Sequence, residues 1–400
     1  MAIAPASPAL QHALHCLGNE IDSELELCLA SFKTISSGTM NVVRALAHLQ
    51  RAMLAAGGAR PLPRADELYT QLAMGWCKAM PDLLDATLQR ALESDTWLAV
   101  SEAAPRTSSA VDVLTQLDRL SQVYAAFCQL LAMPLSQACH TAFLEVLESQ
   151  VSSYVTAVTK TCVPLPLSGL QRERRASQLG KRPTSTPDGS VTSPSAAASR
   201  RSMHIDPVPR SRSLDDQPLV QLCLRLNNCE WAAEQLLALA ARLRADIPGL
   251  GRLPGRAVIQ CERSCRDLLD YITSKVVWYE LEPSLVLTLY TPQPREARLS
   301  TSPVLGLLQP KLVEMRTTVA PRWSQRMLEG TLSTLAIAIA AVLELPSRRF
   351  ERHHKTLVDE DVDALGTFFM RATAGVLEEQ VVRAALSFLY ALGEQACTAR

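Results

Sequence analysis

The sequence predicts an all-α protein built from stacked helical bundles, and three observations carry that prediction. Apolar residues recur every three or four positions over long stretches, which places them on one face of a helix. Hydrophobic residues make up 48% of the chain but aromatic ones only 5%, and the Leu and Ala that dominate are strong helix formers. Glycine, at 16 of 400 residues, is too sparse for β-sandwiches or glycine-loop nucleotide folds. A chain of this length can hold two or more cores. Its 40 basic and 40 acidic residues cancel, so no global field favours nucleic acid.

Residues 1–64 form a poorly defined helical lead, in which Val42 to Ala56 is helical and Gly57-Gly58 ends it. A first helical block spans 65–170. Within it Val113, Leu117, Leu120, Tyr124, Phe127 and Leu131 step in a four–three rhythm, and Leu144, Leu147, Val151, Tyr154 and Val158 repeat it after Pro134. Such continuous stripes must be buried against neighbouring helices. Pro164 and Pro166 stop the run.

Residues 171–217 change character. Ser, Pro, Arg and Thr prevail and no apolar period remains, so the segment reads as a disordered linker. It is basic, with Arg174, Arg175, Arg200 and Arg201 among its cations. Ser177, Ser202 and Ser213 each follow arginines closely and are candidate phosphorylation sites, where phosphate would reverse the local charge. The same cations could touch an anionic membrane, each adding about 1 kcal/mol near the surface.

A second helical block spans 218–400, cut by prolines into some six helices joined by short connections. It opens on Leu222-Cys-Leu-Arg225-Leu-Asn227-Asn228. Two adjacent asparagines inside an amphipathic helix are unusual, because their amides compete with the helix for backbone bonds. They either fix the register through a polar contact to a neighbouring element or read a partner directly, and the first is the commoner arrangement. The strand-like run Leu285 to Tyr290 has no pairing partner and is read as helix. Leu332 to Leu345, about 14 residues, is shorter than the roughly 20 a bilayer needs and is expected to be a packed central helix. No segment is read as membrane-spanning.

Little in the chain points to catalysis. There is no Gly-x-Gly-x-x-Gly, no phosphate loop, no Gly-x-Ser-x-Gly and no His-Glu-x-x-His, so no enzyme activity, no cofactor and no small-molecule substrate is expected. The carboxylates of Asp359-Glu-Asp361 precede Val362 as acids do in a helix's first turn. Eleven cysteines are scattered through apolar patterns. Cys261 and Cys265 lie one turn apart, but no second Cys or His pair completes a four-ligand set. Met1 to Pro5 show no signal-peptide pattern, so reduced thiols and a cytoplasmic location are expected.

Several stretches, taken in order, resemble a known family. Leu222 to Asn228 looks like the Cys-Val-Arg-Leu-Asn-Asn stretch of the MUN-domain family of Munc-type vesicle-priming proteins. Val277-Trp278-Tyr-Glu-Leu281 resembles the Val-Phe-Trp-Asp-Leu of the plant and algal branch, once a domain of unknown function. Pro346-Ser-Arg348-Arg-Phe350 matches its Pro-Ser-Arg-x-Phe, and Leu357 to Phe368-Phe369 follows its pattern ending in Phe-Phe. Gly375-Val-Leu-Glu378-Glu-Gln380-Val-Val-Arg383 resembles its Gly-Val-Val-Glu-Asn-Gln-Val-Ala-Arg, and Trp97 its Asp-Trp. The resemblance implies an elongated, tethering-complex-like rod whose two blocks correspond to Munc-homology regions. It implies action in exocytosis: tethering and priming vesicles, promoting SNARE assembly and delivering membrane proteins to the plasma membrane. Partners would be syntaxin-type SNARE proteins or tethering-complex subunits, at the periphery of vesicles or the plasma membrane. Arg225, Asn227, Asn228, Trp278, Arg348, Phe350, Phe368, Phe369, Glu378, Gln380 and Arg383 become family-motif positions, structural or in contact with a partner.

Overall fold

A computed structural model describes residues 7–30, 37–55, 65–101, 105–131, 134–160, 168–172, 218–253, 255–290, 303–345, 348 and 350–398. The protein is all-α, and among the described residues no strand occurs. In chain order the helices are α1 (Pro8–Ala30), α2 (Ser37–Ala55), α3 (Ala65–Ser94), α4 (Ser108–Leu130), α5 (Gln137–Thr159), α6 (Leu219–Asp246), α7 (Arg256–Ser274), α8 (Glu282–Thr288), α9 (Pro303–Thr318), α10 (Pro321–Leu343), α11 (Lys355–Ala372) and α12 (Glu379–Thr398). A π-helical segment, Lys275–Leu281, joins α7 to α8, and a 3-10 turn, Arg352–His354, leads into α11. The chain divides into two compact units: Met1–Lys160 with Leu224–Arg266, and Thr161–Cys223 with Asp267–Arg400.

In the first unit α3 packs on α4 and α5. The predicted stripes supply its core: Val113, Leu117, Leu120, Tyr124 and Phe127 on α4, and Leu144, Leu147, Val151, Tyr154 and Val158 on α5, are all buried. Leu131 is half-buried, because it is the residue at which α4 ends. Trp76, Tyr124 and Phe143 stack in parallel, the last two with centroids 3.9 Å apart. His140 meets the edge of Tyr124 and shares a 2.9 Å hydrogen bond with its hydroxyl. Burial in this apolar cluster pushes the imidazole below its ordinary pKa.

In the second unit α10 packs against α9 and α12, and α11 against α12. α10 is long and apolar enough by composition to cross a membrane, but two thirds of that stretch is buried among its neighbours (67%), as expected of a core helix. The second block holds seven α-helices among the described residues rather than six. The seventh follows the break that the sequence itself places near Gly375, which sits at φ 82° and reverses the chain between α11 and α12 without a proline. Pro310, conversely, lies inside α9 and ends nothing. Leu285 to Thr288 are helical as read. Asp359 to Asp361 are not in a first turn: α11 begins at Lys355, so they fall one turn later, and Asp361 is buried.

The π segment explains a sequence oddity. Pro283 follows it in the first turn of α8, where a residue without an N–H is tolerated. Consecutive Lys275, Val276, Val277 and Trp278 are then all buried, which is why this stretch shows no clean three–four period.

Candidate functional site

The predicted motif residues separate into two polar clamps and one exposed turn. In the first unit, α6 carries Arg225, Asn227 and Asn228 into the interior, where they are 4%, 5% and 0% exposed. The Arg225 guanidinium donates to the Val158 carbonyl at 2.5 Å and so closes the last turn of α5. Its flat face lies 3.6 Å from the centroid of the Trp97 ring, a cation–π arrangement. Asn228 accepts from the Thr107 N–H at 3.1 Å and donates to the Thr107 hydroxyl at 2.9 Å. Asn227 donates to the Pro105 carbonyl at 2.9 Å. The asparagine pair therefore makes polar contacts to a neighbouring element of its own unit, holding the chain that enters α4.

Asp95 completes this clamp from the end of α3. It accepts from the Thr107 hydroxyl at 2.5 Å, from the Ser109 N–H at 3.3 Å and from the Trp97 N–H at 2.8 Å. α4 has no cap from its own Thr107 side chain, so its first N–H groups are satisfied by residues remote in sequence. Trp97 sits at φ 55°, a left-handed conformation costing a bulky residue about 1–2 kcal/mol, and the Arg225 stack and Asp95 bond hold it there. The same device recurs at α7, whose preceding Gly255 N–H donates to buried Glu148 of α5 at 2.6 Å.

In the second unit Arg348 is the counterpart. It is buried and donates from Nε to the Leu289 carbonyl at 3.2 Å and from Nη2 to the Val286 carbonyl, closing the end of α8. Burial lowers its guanidinium pKa from the ordinary value. Phe350 packs edge-on against Tyr290, centroids 5.4 Å apart, and Tyr290 takes φ 58°. Glu282, at the start of α8, accepts from the Leu170 N–H at 3.1 Å. This closes the helical turn 169–172, together with a Ser168–Gln171 capping box. Gln171 and Arg172 are thus helical, a correction to the predicted linker start caused by that box. From residue 173 the linker, with Ser177, Ser202 and Ser213, lies outside the described residues.

The remaining motif positions play simpler parts. Trp278 and Phe369 are core residues and Phe368 is half-buried, its ring edge-on to Phe369 at 5.9 Å. Glu378, Gln380 and Arg383 are exposed at the start of α12, where Arg383 pairs with Glu379. The structure does not bring them together with the clamps. Sequence reasoning missed Asp95, Thr107, Glu148 and Glu282. A signal existed only for Thr107, in Thr107-Ser-Ser before an apolar run, the pattern of a helix start.

Reactive chemistry is muted. Burial pushes the Cys77, Cys128 and Cys261 thiols up to about 12, so they stay protonated and poorly nucleophilic. Among the described residues no group of three His, Cys, Asp or Glu side chains is placed to hold a metal. A shallow depression of about 60 Å³ lies beside the Arg242–Asp118 pair, with Leu239 and Ser121 among its lining residues; it has room for a few waters.

No curated protein matches the chain. A family model described as "PATROL1-like, TPR repeats" matches residues 69–250 and 254–390. This corrects the resemblance read from the sequence: the matching family is not the MUN-domain family. The stretches that carried that resemblance are short, and Arg225, Asn228, Arg348 and Phe369 within them turn out to be helix-closing and core positions. Helical repeats offer extended surfaces and act as scaffolds. The two matched stretches cover well over half of the residues, and the chain belongs to the PATROL1-like family of TPR repeats.

Proposed function

We propose that this protein is a non-enzymatic helical scaffold that works by contact, holding other helical proteins during vesicle tethering ahead of exocytosis. One observation supports the contact reading most. Several buried polar side chains, Arg225, Asn228, Glu148 and Arg348, together with half-buried Glu282, are spent on the protein's own backbone. What the described residues offer to solvent is helix faces. The trafficking setting is supported by the match to the PATROL1-like family. In this reading the chain is cytoplasmic and peripheral to vesicles or the plasma membrane. Its partners are tethering-complex subunits or syntaxin-type SNAREs whose assembly it promotes, in the service of delivering membrane proteins to the plasma membrane.

Two measurements on the full chain test this. The first is affinity purification from cell extract, scored for a stable multi-subunit tethering complex. The second is saturable binding to the cytoplasmic domain of a plasma-membrane syntaxin-type SNARE at two salt concentrations. Complex without SNARE binding favours the tethering scaffold, and salt-resistant SNARE binding favours priming. A folded, helical sample that does neither overturns the trafficking reading.

A further inference from the structure

The outer face of α7 is a patterned surface left unused by the contacts described so far. Ala257, Cys261, Ser264, Cys265 and Leu268 are buried, spaced at one helical face. Opposite them Arg256, Ile259, Arg263 and Arg266 are exposed, stepping three, four, three, so that they form one straight stripe about 15 Å long. Ile259 is 65% exposed, an apolar centre between arginines. Beside it, Gln260 bonds to Thr156 of α5 at 2.7 Å. That bond sets a neutral polar flank and brings no carboxylate. The acids on α7 are Glu262, paired with Arg266 at 3.5 Å, and Asp267 and Asp270, exposed where the stripe ends.

From this pattern we propose that the α7 stripe is the docking surface for an acidic amphipathic helix of a partner protein. This deepens the scaffold reading above and rests on it. Arg side chains are suited to forked bonds with carboxylates, and acids three and four apart on a partner helix match the stripe's own spacing. Ile259 supplies the apolar anchor that such interfaces need at their centre. The order of charge argues against a lipid surface. An anionic bilayer would attract the three arginines but repel Asp267 and Asp270 at the end of the same stripe, and one isoleucine is a small apolar face for insertion. A partner helix can instead set a basic residue opposite Asp270. The Glu262–Arg266 pair is exposed and weakly held, so Arg266 exchanges partners readily.

The test uses the full chain and a synthetic amphipathic helical peptide with glutamates three and four apart around one leucine and a lysine at one end. A scrambled peptide of equal charge and phosphatidylserine vesicles are the comparison probes. Binding of the patterned peptide should weaken about tenfold in Arg263→Glu and in Ile259→Asp, with unchanged helical circular dichroism, about 1.4 kcal/mol in each case. Arg244→Glu, on α6, should leave it unchanged. Equal binding of the scrambled peptide, equal loss in Arg244→Glu, or vesicle binding that Arg263→Glu abolishes would each overturn the proposal. If the tethering complex or SNARE domain binds the wild type and the Arg263→Glu chain alike, the docking face is refuted and the scaffold reading stands. If the patterned peptide binds as expected while neither trafficking partner does, the face stands and the trafficking setting falls.

Discussion

The two units solve one problem with two arginines, and the difference lies in what surrounds them. Arg225 closes the end of α5 and Arg348 closes the end of α8, each buried and each donating to carbonyls of a final turn. Each also has an aromatic residue nearby in a left-handed conformation, Trp97 at φ 55° and Tyr290 at φ 58°. In the first unit the guanidinium itself stacks on the aromatic ring, and adjacent asparagines tie down the start of a further helix. In the second the aromatic is held instead by Phe350. One clamp is a connected network and the other is two separate contacts, so their deletions should differ in cost and in spread.

The largest effect is expected for Arg225→Ala, about 3 kcal/mol of stability, from about 2 for the charged hydrogen bond and about 1 for the stack. Arg348→Ala loses two charged hydrogen bonds but no ring stack, and should cost slightly less, about 2 to 3 kcal/mol. Urea denaturation of both measures the comparison, and Trp97→Leu, which removes the stack and keeps the Arg225 bond, isolates it; no loss there would show that the stack contributes nothing. Asn228→Leu strands the Thr107 N–H, while the hydroxyl keeps its bond to Asp95, and should cost about 2 kcal/mol. It should also speed hydrogen exchange at the first turn of α4 more than elsewhere; uniform exchange would break the capping account.

Acid should separate the units in direction. His140 is held neutral below its ordinary pKa. As pH falls from about 6.5 towards its lower folded value, the unfolded chain takes the proton first and the first unit loses stability. Glu314 is pushed up by burial, with Lys311 and the Val220 N–H pulling the other way. The second unit therefore gains stability as pH falls through the window just above the ordinary carboxylate pKa. Melts recorded across this range, with His140→Gln removing the first effect alone, check both signs. The smallest effect is at the exposed turn: Arg383→Ala should change stability by less than about 0.5 kcal/mol, because its partner Glu379 is also exposed.

Helix class and core faces were legible because periodicity survives wherever one side of a helix is buried, as at Val113 to Phe127. The asparagine pair was legible as a polar contact because two amides inside a helix need a reason. Its target was not, since Thr107 is 121 residues distant and nothing local marks it. The π segment hid behind an aperiodic apolar run. Glu148 and Glu282 resemble any solvated helix acid in sequence, and only the fold turns them towards backbone N–H groups. The family assignment failed for a related reason, because stretches that share helix-closing and packing chemistry do not by themselves separate one helical rod from another.

The clamp of the first unit also decides where this gene can be cut. Arg225 and Asn228 lie beyond the long basic segment, yet the elements they close, α5 and the start of α4, lie before it. Cleavage anywhere from 173 to 217 would therefore not release two independent domains. The leading piece would lack its closing residues and the trailing piece would carry them unused. Expressed together, the two halves should reassemble through Arg225 and its asparagines; expressed apart, the leading half should be the one that proteases consume.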